Sequence, residues 1–182
     1  MSLVLGITGP NAAGKGEVSG ILAAKGFSTH SLSDVVREEA AARGLPPERA
    51  HLIRIGTLLR REGGAGVLAE RLLPRIGERD VVDSIRNPAE VAVLRGLPRF
   101  VLVGVEAPGR LRFERSRRRA RSGDPETFEA FEAREREENS SDPAGQQLAA
   151  TFRLADRLIA NDGDLDALKA RVDELLSSLG SA

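Results

Sequence analysis

Five short runs of the chain are apolar at nearly every position or alternate apolar with polar: residues 2–8 (SLVLGIT), 26–31 (GFSTHS), 80–84 (DVVDS), 99–107 (RFVLVGVEA) and 156–162 (DRLIAND). Runs of this length, rich in β-branched residues and bounded by Gly, Pro or Asp, are predicted as strands. The unbroken ones suit a parallel strand buried on both faces. Between them apolar residues return at helical spacing. Val18, Ile21 and Leu22 mark one helix, and residues 32–44 (LSDVVREEAAARG) read as a second, capped by Ser33 and ended by Gly44. Residues 46–62 and 64–77 predict two more across a Gly-Gly break, and residues 87–96 another with Pro88 in its first turn. Leu165, Leu168, Val172, Leu175 and Leu176 give a closing amphipathic helix.

Strands alternating with helices predict an α/β fold, a five-stranded parallel sheet with helices on both faces. Ligands of such sheets gather beyond the carboxyl ends of the strands. Residues 9–15, 31–34, 83–86 and 161–163 each follow a strand and are expected to converge there.

Composition narrows the chemistry. At 182 residues, with no internal repeat and no linker-like stretch, residues 1–182 are expected to form one domain. The 27 basic and 27 acidic residues cancel, which argues against a partner that is nucleic acid or a membrane surface. Six Phe with no Trp or Tyr leave little for stacking bases. The absence of cysteine excludes disulfides, thiolate zinc sites and a Cys nucleophile, and two histidines cannot make a His-rich metal site. Lacking a basic leader or a membrane-length apolar run, the chain reads as cytoplasmic, a monomer or small homo-oligomer.

One stretch carries a specific chemistry. In GITGPNAAGKGE, Gly9, Gly14 and Lys15 stand at the phosphate-loop spacing G-x-x-x-x-G-K, between a predicted strand and a predicted helix. Such a loop turns several backbone N–H groups onto a phosphate, the helix N-terminus adds partial positive charge, and Lys15 reaches the β- and γ-phosphates. The consensus Ser or Thr after the lysine, a frequent Mg²⁺ ligand, is Gly16 here.

GPNAAGKGE resembles the loop of adenylate kinase and related nucleoside monophosphate kinases, whose lysine is also followed by glycine. The resemblance implies a P-loop NTPase fold that binds ATP with Mg²⁺, the ion held largely by water and the nucleotide's phosphates. It implies nucleotide contacts from Gly9, Asn11, Ala12, Ala13, Gly14, Lys15, Gly16 and Glu17, although those kinases carry Thr where this chain has Glu17. In HSLSDVVREEA, Asp34 and Arg37 match the start of their monophosphate-binding segment, here about residues 33–78. The alternative is an ordinary i,i+3 ion pair.

In VVDSIRNPAEVAVL, Asp83 ends an apolar strand as a Walker B carboxylate does, placed to hold Mg²⁺ or its waters, and Arg86 follows three residues on. This segment is similar to Asp-Gly-x-x-Arg of adenylate kinases and to Asp-Gly-Ile-Arg of an archaeal kinase-like P-loop family. The similarity to that family covers nearly the whole chain and brings no known substrate; Arg86, three residues past the carboxylate, is expected to leave the strand tip towards the acceptor. Residues 110–138 pack Arg115, Arg117, Arg118, Arg119 and Arg121 ahead of an acidic helix with Phe128 and Phe131 on one side. An arginine helix joined to a second helix resembles the lid of nucleotide kinases and of dephospho-CoA kinase, here about residues 112–140. Arg115 and Arg119 share a helix face and would close over the triphosphate, and Arg134 stands where such lids return another arginine. Asn161 and Gly163 match the turn that lies beside the adenine in both families.

Together these imply an ATP-dependent kinase whose partner is a small nucleotide-type acceptor. A nucleoside or deoxynucleoside monophosphate needs no general base, and Arg37 and Arg86 would hold its phosphate. A sugar hydroxyl, as in dephospho-CoA kinase, needs a base, and Asp34 is the candidate. A nucleotide sensor or regulatory ATPase without efficient transfer is the third alternative.

Overall fold

The computed structural model describes residues 2–119 and 124–180; Arg121 of the arginine run lies outside them. Each of the five runs contains a strand: β1 (Leu3–Thr8), β2 (Ser28–Ser31), β3 (Arg79–Asp83), β4 (Phe100–Glu106) and β5 (Arg157–Ala160). All pair in parallel in one sheet of order β2-β3-β1-β4-β5. Successive side chains point to opposite faces of the pleat. Leu5, Ile7, Val81 and Val103 therefore enter one core, and Val4, Val82 and Leu102 the other. Burial on both faces is why the central runs lack polar alternation.

One core is covered by α1 (Lys15–Ala24) and α9 (Leu165–Gly180), through Val18, Leu22, Leu168 and Val172. The other is covered by α2 (Leu32–Ala42), α3 (Arg49–Gly63), α4 (Val67–Leu72) and α5 (Pro88–Leu94), through Val35, Leu59, Leu68 and Leu94. Three further helices, α6 (Gly109–Arg119), α7 (Phe128–Glu138) and α8 (Leu148–Phe152), lie after β4. Phe113 of α6 meets Phe128 and Phe131 of α7 at ring-centroid distances of 5.7 and 5.8 Å, which packs these two helices together. No described helix is long and apolar enough to cross a membrane.

Local chemistry moves several predicted boundaries. The cap of α2 is Ser31, not Ser33: β2 runs straight into the helix, and extended Ser31 accepts the Ser33 N–H on its Oγ at 3.3 Å. The helix predicted over residues 64–77 stops at Leu72 and tightens into a single 3₁₀ turn, Leu73–Arg75. Pro74 has no N–H to continue the helical ladder. The five-residue α8 is too short to leave a periodic signal.

The start of α5 is unusually well held. Asn87 caps it by accepting the Ala89 N–H, and Glu90 reaches back to the N–H groups of Asn87 (3.0 Å) and Arg86 (2.9 Å). The other Glu90 oxygen accepts from Arg60 of α3 at 2.7 and 3.0 Å, inside the core. One buried carboxylate thus fixes α3, α5 and the strand tip that carries Arg86.

Sheet order determines where these parts meet. The chain leaves central β1 towards edge strand β2, and later crosses from β3 over β1 to β4. Connections diverge on the two sides of β1, which opens a crevice at its carboxyl end.

Candidate phosphate-binding site

Residues 9–14 follow β1 into this crevice. Gly9 adopts φ +144°, and a Cβ there would lie 2.1 Å from the Val105 carbonyl oxygen, so the loop passes hard against β4. Gly14, at φ +98°, caps α1 in the left-handed region, and a Cβ would meet the Asn161 amide at 2.0 Å. Gly16 differs: it is exposed, and a Cβ there would have nothing within 4 Å. The missing hydroxyl is therefore a chemical feature of the loop and not a steric demand.

Lys15 turns back over the loop and donates to the carbonyls of Gly9 and Pro10, both at 2.8 Å. The residue is only partly buried, but its ammonium is shielded from water and its pKa is pushed down to about 7. Burial is the main cause. The fields of Arg86, Arg112 and Arg119 push the same way, and Asp83 opposes them.

Asp83 ends β3 directly beside Ser31 of β2 in the sheet register. Its Oδ1 accepts from the hydroxyls of Ser31 (2.7 Å) and Ser84 (2.6 Å). Ser84 takes φ +61°, a turn that bends the chain inward after β3. Ile85 then offers its carbonyl to the buried Thr8 hydroxyl at 3.0 Å, joining the β3 tip to the start of the loop. Arg86 donates from Nη1 to Gln146 Oε1 at 2.9 Å, and its carbonyl accepts the Gln147 N–H. Burial holds the Arg86 guanidinium below its ordinary pKa, partly offset by Glu138.

On the far side, Asn161 at the β5 tip is buried and donates from Nδ2 to the Ala13 carbonyl at 2.8 Å. Arg115 of α6 donates to the Asn161 carbonyl at 2.9 Å and to its Oδ1 at 3.3 Å. The loop, the β5 tip and α6 are thus linked through one asparagine. Arg119, exposed and 3.4 Å from Asp124, adds to the field at Lys15. Gly163 and Glu17 are exposed.

Lys15, Asp83, Arg86, Asn161 and Arg115 therefore gather around the loop. Asp34 and Arg37 form an ion pair with each other at 2.6 Å on the exposed side of α2. Besides Lys15, Arg49 and Arg60 of α3 are cations that share the surroundings of Arg86.

Several participants had no local sequence signal. Arg112 donates to the Asn11 carbonyl at 3.1 Å and pairs with Glu135. Glu138 of α7 accepts from the Asn11 side chain at 2.8 Å and from Arg49 Nε at 3.0 Å. Arg134, which the lid resemblance singles out, brings Nε to 3.4 Å from the same Glu138 carboxylate. Only spacing across the whole fold brings these residues together. The Asn87–Glu90 capping box is the exception, because N-x-x-E is visible in the sequence.

Comparison with known proteins agrees with this architecture. The shikimate kinase from Bacteroides thetaiotaomicron superposes with a TM-score of 0.62 over 99% of each chain at 13% identity. TT1252 from Thermus thermophilus does so with a TM-score of 0.61 over 98% of each chain at 24% identity. The fold is accordingly that of the P-loop kinases. No family model matches the sequence. Among relatives in sequence, the UPF0200 protein of Methanoculleus marisnigri is 34% identical over 182 residues, covering 97% of each chain. The UPF0200 protein of Hyperthermus butylicus is 39% identical over 181 residues, 97% of this chain and 95% of its own length. On that similarity, which extends over nearly the whole of both chains, the protein belongs to the UPF0200 family.

Proposed function

We propose that the protein is an ATP-dependent phosphotransferase that moves the γ-phosphoryl group to a nucleotide-type acceptor, a nucleoside or deoxynucleoside monophosphate. One observation carries this reading. The ammonium of Lys15 is desolvated against its own loop, in the field of three arginines and a single carboxylate. Such an excess of positive charge beside main-chain N–H groups suits a polyphosphate and little else.

In-line transfer forms a bond from an acceptor oxygen to phosphorus and breaks the bond to the β-phosphate oxygen. Little covalent help from the protein is required. Residues 9–15 hold the donor phosphates, Lys15 offsets negative charge between the β and γ groups, and Arg115 and Arg119 approach from α6. Arg86 stands on the acceptor side. Among the described residues no group of three or more His, Cys, Asp or Glu could hold a metal. This donor set fits Mg²⁺ held mainly by phosphates and water, with Asp83 as the strand-tip carboxylate that would hold it or its waters. The ion would neutralise phosphate oxygens when bound. Ser31 and Ser84 orient the Asp83 carboxylate towards that role.

A monophosphate oxygen is already ionised and needs no base. A hydroxyl acceptor would need one, and Asp34 is engaged by Arg37 on an exposed helix face, which favours the monophosphate. The test is incubation with labelled ATP and Mg²⁺ against a panel of ribo- and deoxynucleoside monophosphates, with dephospho-CoA included. Label transfer to a monophosphate supports the proposal. Transfer to dephospho-CoA alone, or binding without transfer, overturns it in favour of the hydroxyl acceptor or the sensor respectively. Arg86→Ala is expected to lower kcat/KM for the acceptor by about 10²-fold while ATP affinity changes little. Unchanged acceptor kinetics would remove Arg86 from the site.

A further inference from the structure

The mouth of the phosphate loop adjoins a cleft of about 420 Å³ between α3 and α7. Its α3 wall presents Arg49, Ile53 and Thr57, one turn apart along a helix face, with Ala50 beside Arg49. The opposite wall includes Arg134, Glu137, Glu138, Asp142 and Gln146. Glu138 and Gln146 connect the cleft to the chemistry already described. Gln146 uses its carbonyl to accept from Arg86, which leaves the amide N–H groups for another partner. Glu138, with only 7% of its side chain exposed, holds Arg49 with one oxygen and Asn11 of the loop with the other.

Glu138 is a carboxylate in unusual company. Burial pushes its pKa up, but Arg49 binds it, Asn11 donates to it and Arg86 acts on it through space, and together they hold it below the ordinary range; Arg134 lies beside it. Its negative charge, with that of Glu90 beside Arg86, helps these guanidinium groups to sit together. A dianion arriving between Arg49 and Arg134, within the field of Arg86, would bring them more negative charge than Glu138 does, while Glu137 and Asp142 stay on the cleft's outer lining. Resting on the phosphotransferase reading above, we propose that this cleft is the acceptor site for a compact phosphomonoester, whose phosphate displaces Glu138 from Arg49.

The volume lies within the range of about 300–1,000 Å³ usual for small-molecule sites. The Ala50–Ile53 ridge supplies an apolar face, and Gln146 and Thr57 supply hydrogen-bonding groups at its edge. Release of Glu138 also frees the Asn11 side chain on the phosphate loop, so arrival of the acceptor is transmitted to the donor side. The acceptor is thereby recognised from α3 and α7, whereas Arg37 of α2 faces outward.

The test is calorimetric binding of adenosine monophosphate, cytidine monophosphate and inorganic phosphate to the full chain, with magnesium ADP titrated separately. Glu138→Gln keeps the size of the side chain but removes its charge. It is expected to tighten binding of inorganic phosphate by about ten-fold, the worth of one charge-assisted contact. Ala50→Trp, at an exposed position on the cleft wall, is expected to weaken monophosphate binding at least about ten-fold and to leave magnesium ADP binding within about two-fold. Retained ADP binding certifies that this variant is folded. If Ala50→Trp leaves monophosphate affinity unchanged, or Glu138→Gln weakens phosphate binding, the cleft assignment is overturned while the donor site stands. If magnesium ADP fails to bind the unaltered chain, the phosphotransferase reading itself is lost.

Discussion

Lys15→Ala is expected to lower kcat/KM for ATP by about 10²–10³-fold, the effect of removing one group that stabilises charge in transfer. The chain should still fold, because Ala suits the first turn of a helix, and the cost is confined to the carbonyls of buried Gly9 and half-buried Pro10, which lose their ammonium partner. A second readout separates Lys15 from a merely structural residue. In the free protein its pKa sits at about 7, against an ordinary 10.5. A bound polyphosphate brings negative charge and raises it again, so nucleotide binding at about pH 8 takes up as much as roughly one proton. Above pH 7 the affinity therefore falls as pH rises. Calorimetry in buffers of different ionisation enthalpy measures the uptake directly, and Lys15→Ala should abolish it. Equal proton uptake by variant and parent would show that another group titrates. The same linkage acts on stability without ligand. Between about pH 7 and 10.5 the unfolded chain holds the proton that folded Lys15 has lost. Stability from this source therefore rises with pH across that window, and the variant lacks the rise.

The fold was legible because its physics is local. A parallel strand buried on both faces must be apolar at successive positions, and residues 3–7 and 100–105 are. The loop was legible because Gly9, Gly14 and Lys15 stand at a fixed spacing between a strand and a helix. Where local signals compete, the reading slipped: Ser33 sits at a plausible cap position, but β2 leaves no loop before α2 and Ser31 takes the role. Pro74 shortens a helix that apolar spacing alone would continue.

The site was legible only in part, for a related reason. Asp83 and Arg86 follow a strand and are delivered by it. Arg49 and Glu138 are 89 residues apart, on separate helices, and each alone reads as a charge on a solvated face. Their meaning appears when tertiary packing puts a carboxylate between Arg49 and the Asn11 side chain. The Asp34–Arg37 spacing shows the converse. The three-residue interval that suggests a phosphate grip also satisfies an exposed ion pair, and that pair is what forms.

The second large effect is expected at a residue with no place in the chemistry. Glu90 is fully buried, accepts four hydrogen bonds and balances Arg60 inside the core between α3 and α5. Glu90→Ala leaves the Arg60 guanidinium buried without its counter-charge and strips the partners from the N–H groups of Arg86 and Asn87. Breaking a buried pair from one side costs about 3–5 kcal/mol, a large share of the roughly 5–15 kcal/mol that holds a domain together. Chemical denaturation should show the midpoint falling by that equivalent. Glu90→Gln, which keeps the shape and an acceptor oxygen, should lose less. A loss in Glu90→Ala below about 1 kcal/mol would mean that water or repacking satisfies Arg60, because surface pairs contribute no more than that. The functional consequence follows from geometry. Glu90 fixes the backbone at Arg86 and, through Arg60, the helix that carries Arg49. Under conditions where Glu90→Gln remains folded, its defect should therefore fall on acceptor kinetics and leave magnesium ADP affinity intact. On the proposed reading the acceptor side is held by Arg86 and by α3, and this carboxylate braces both, whereas the phosphate loop after β1 lies outside its reach.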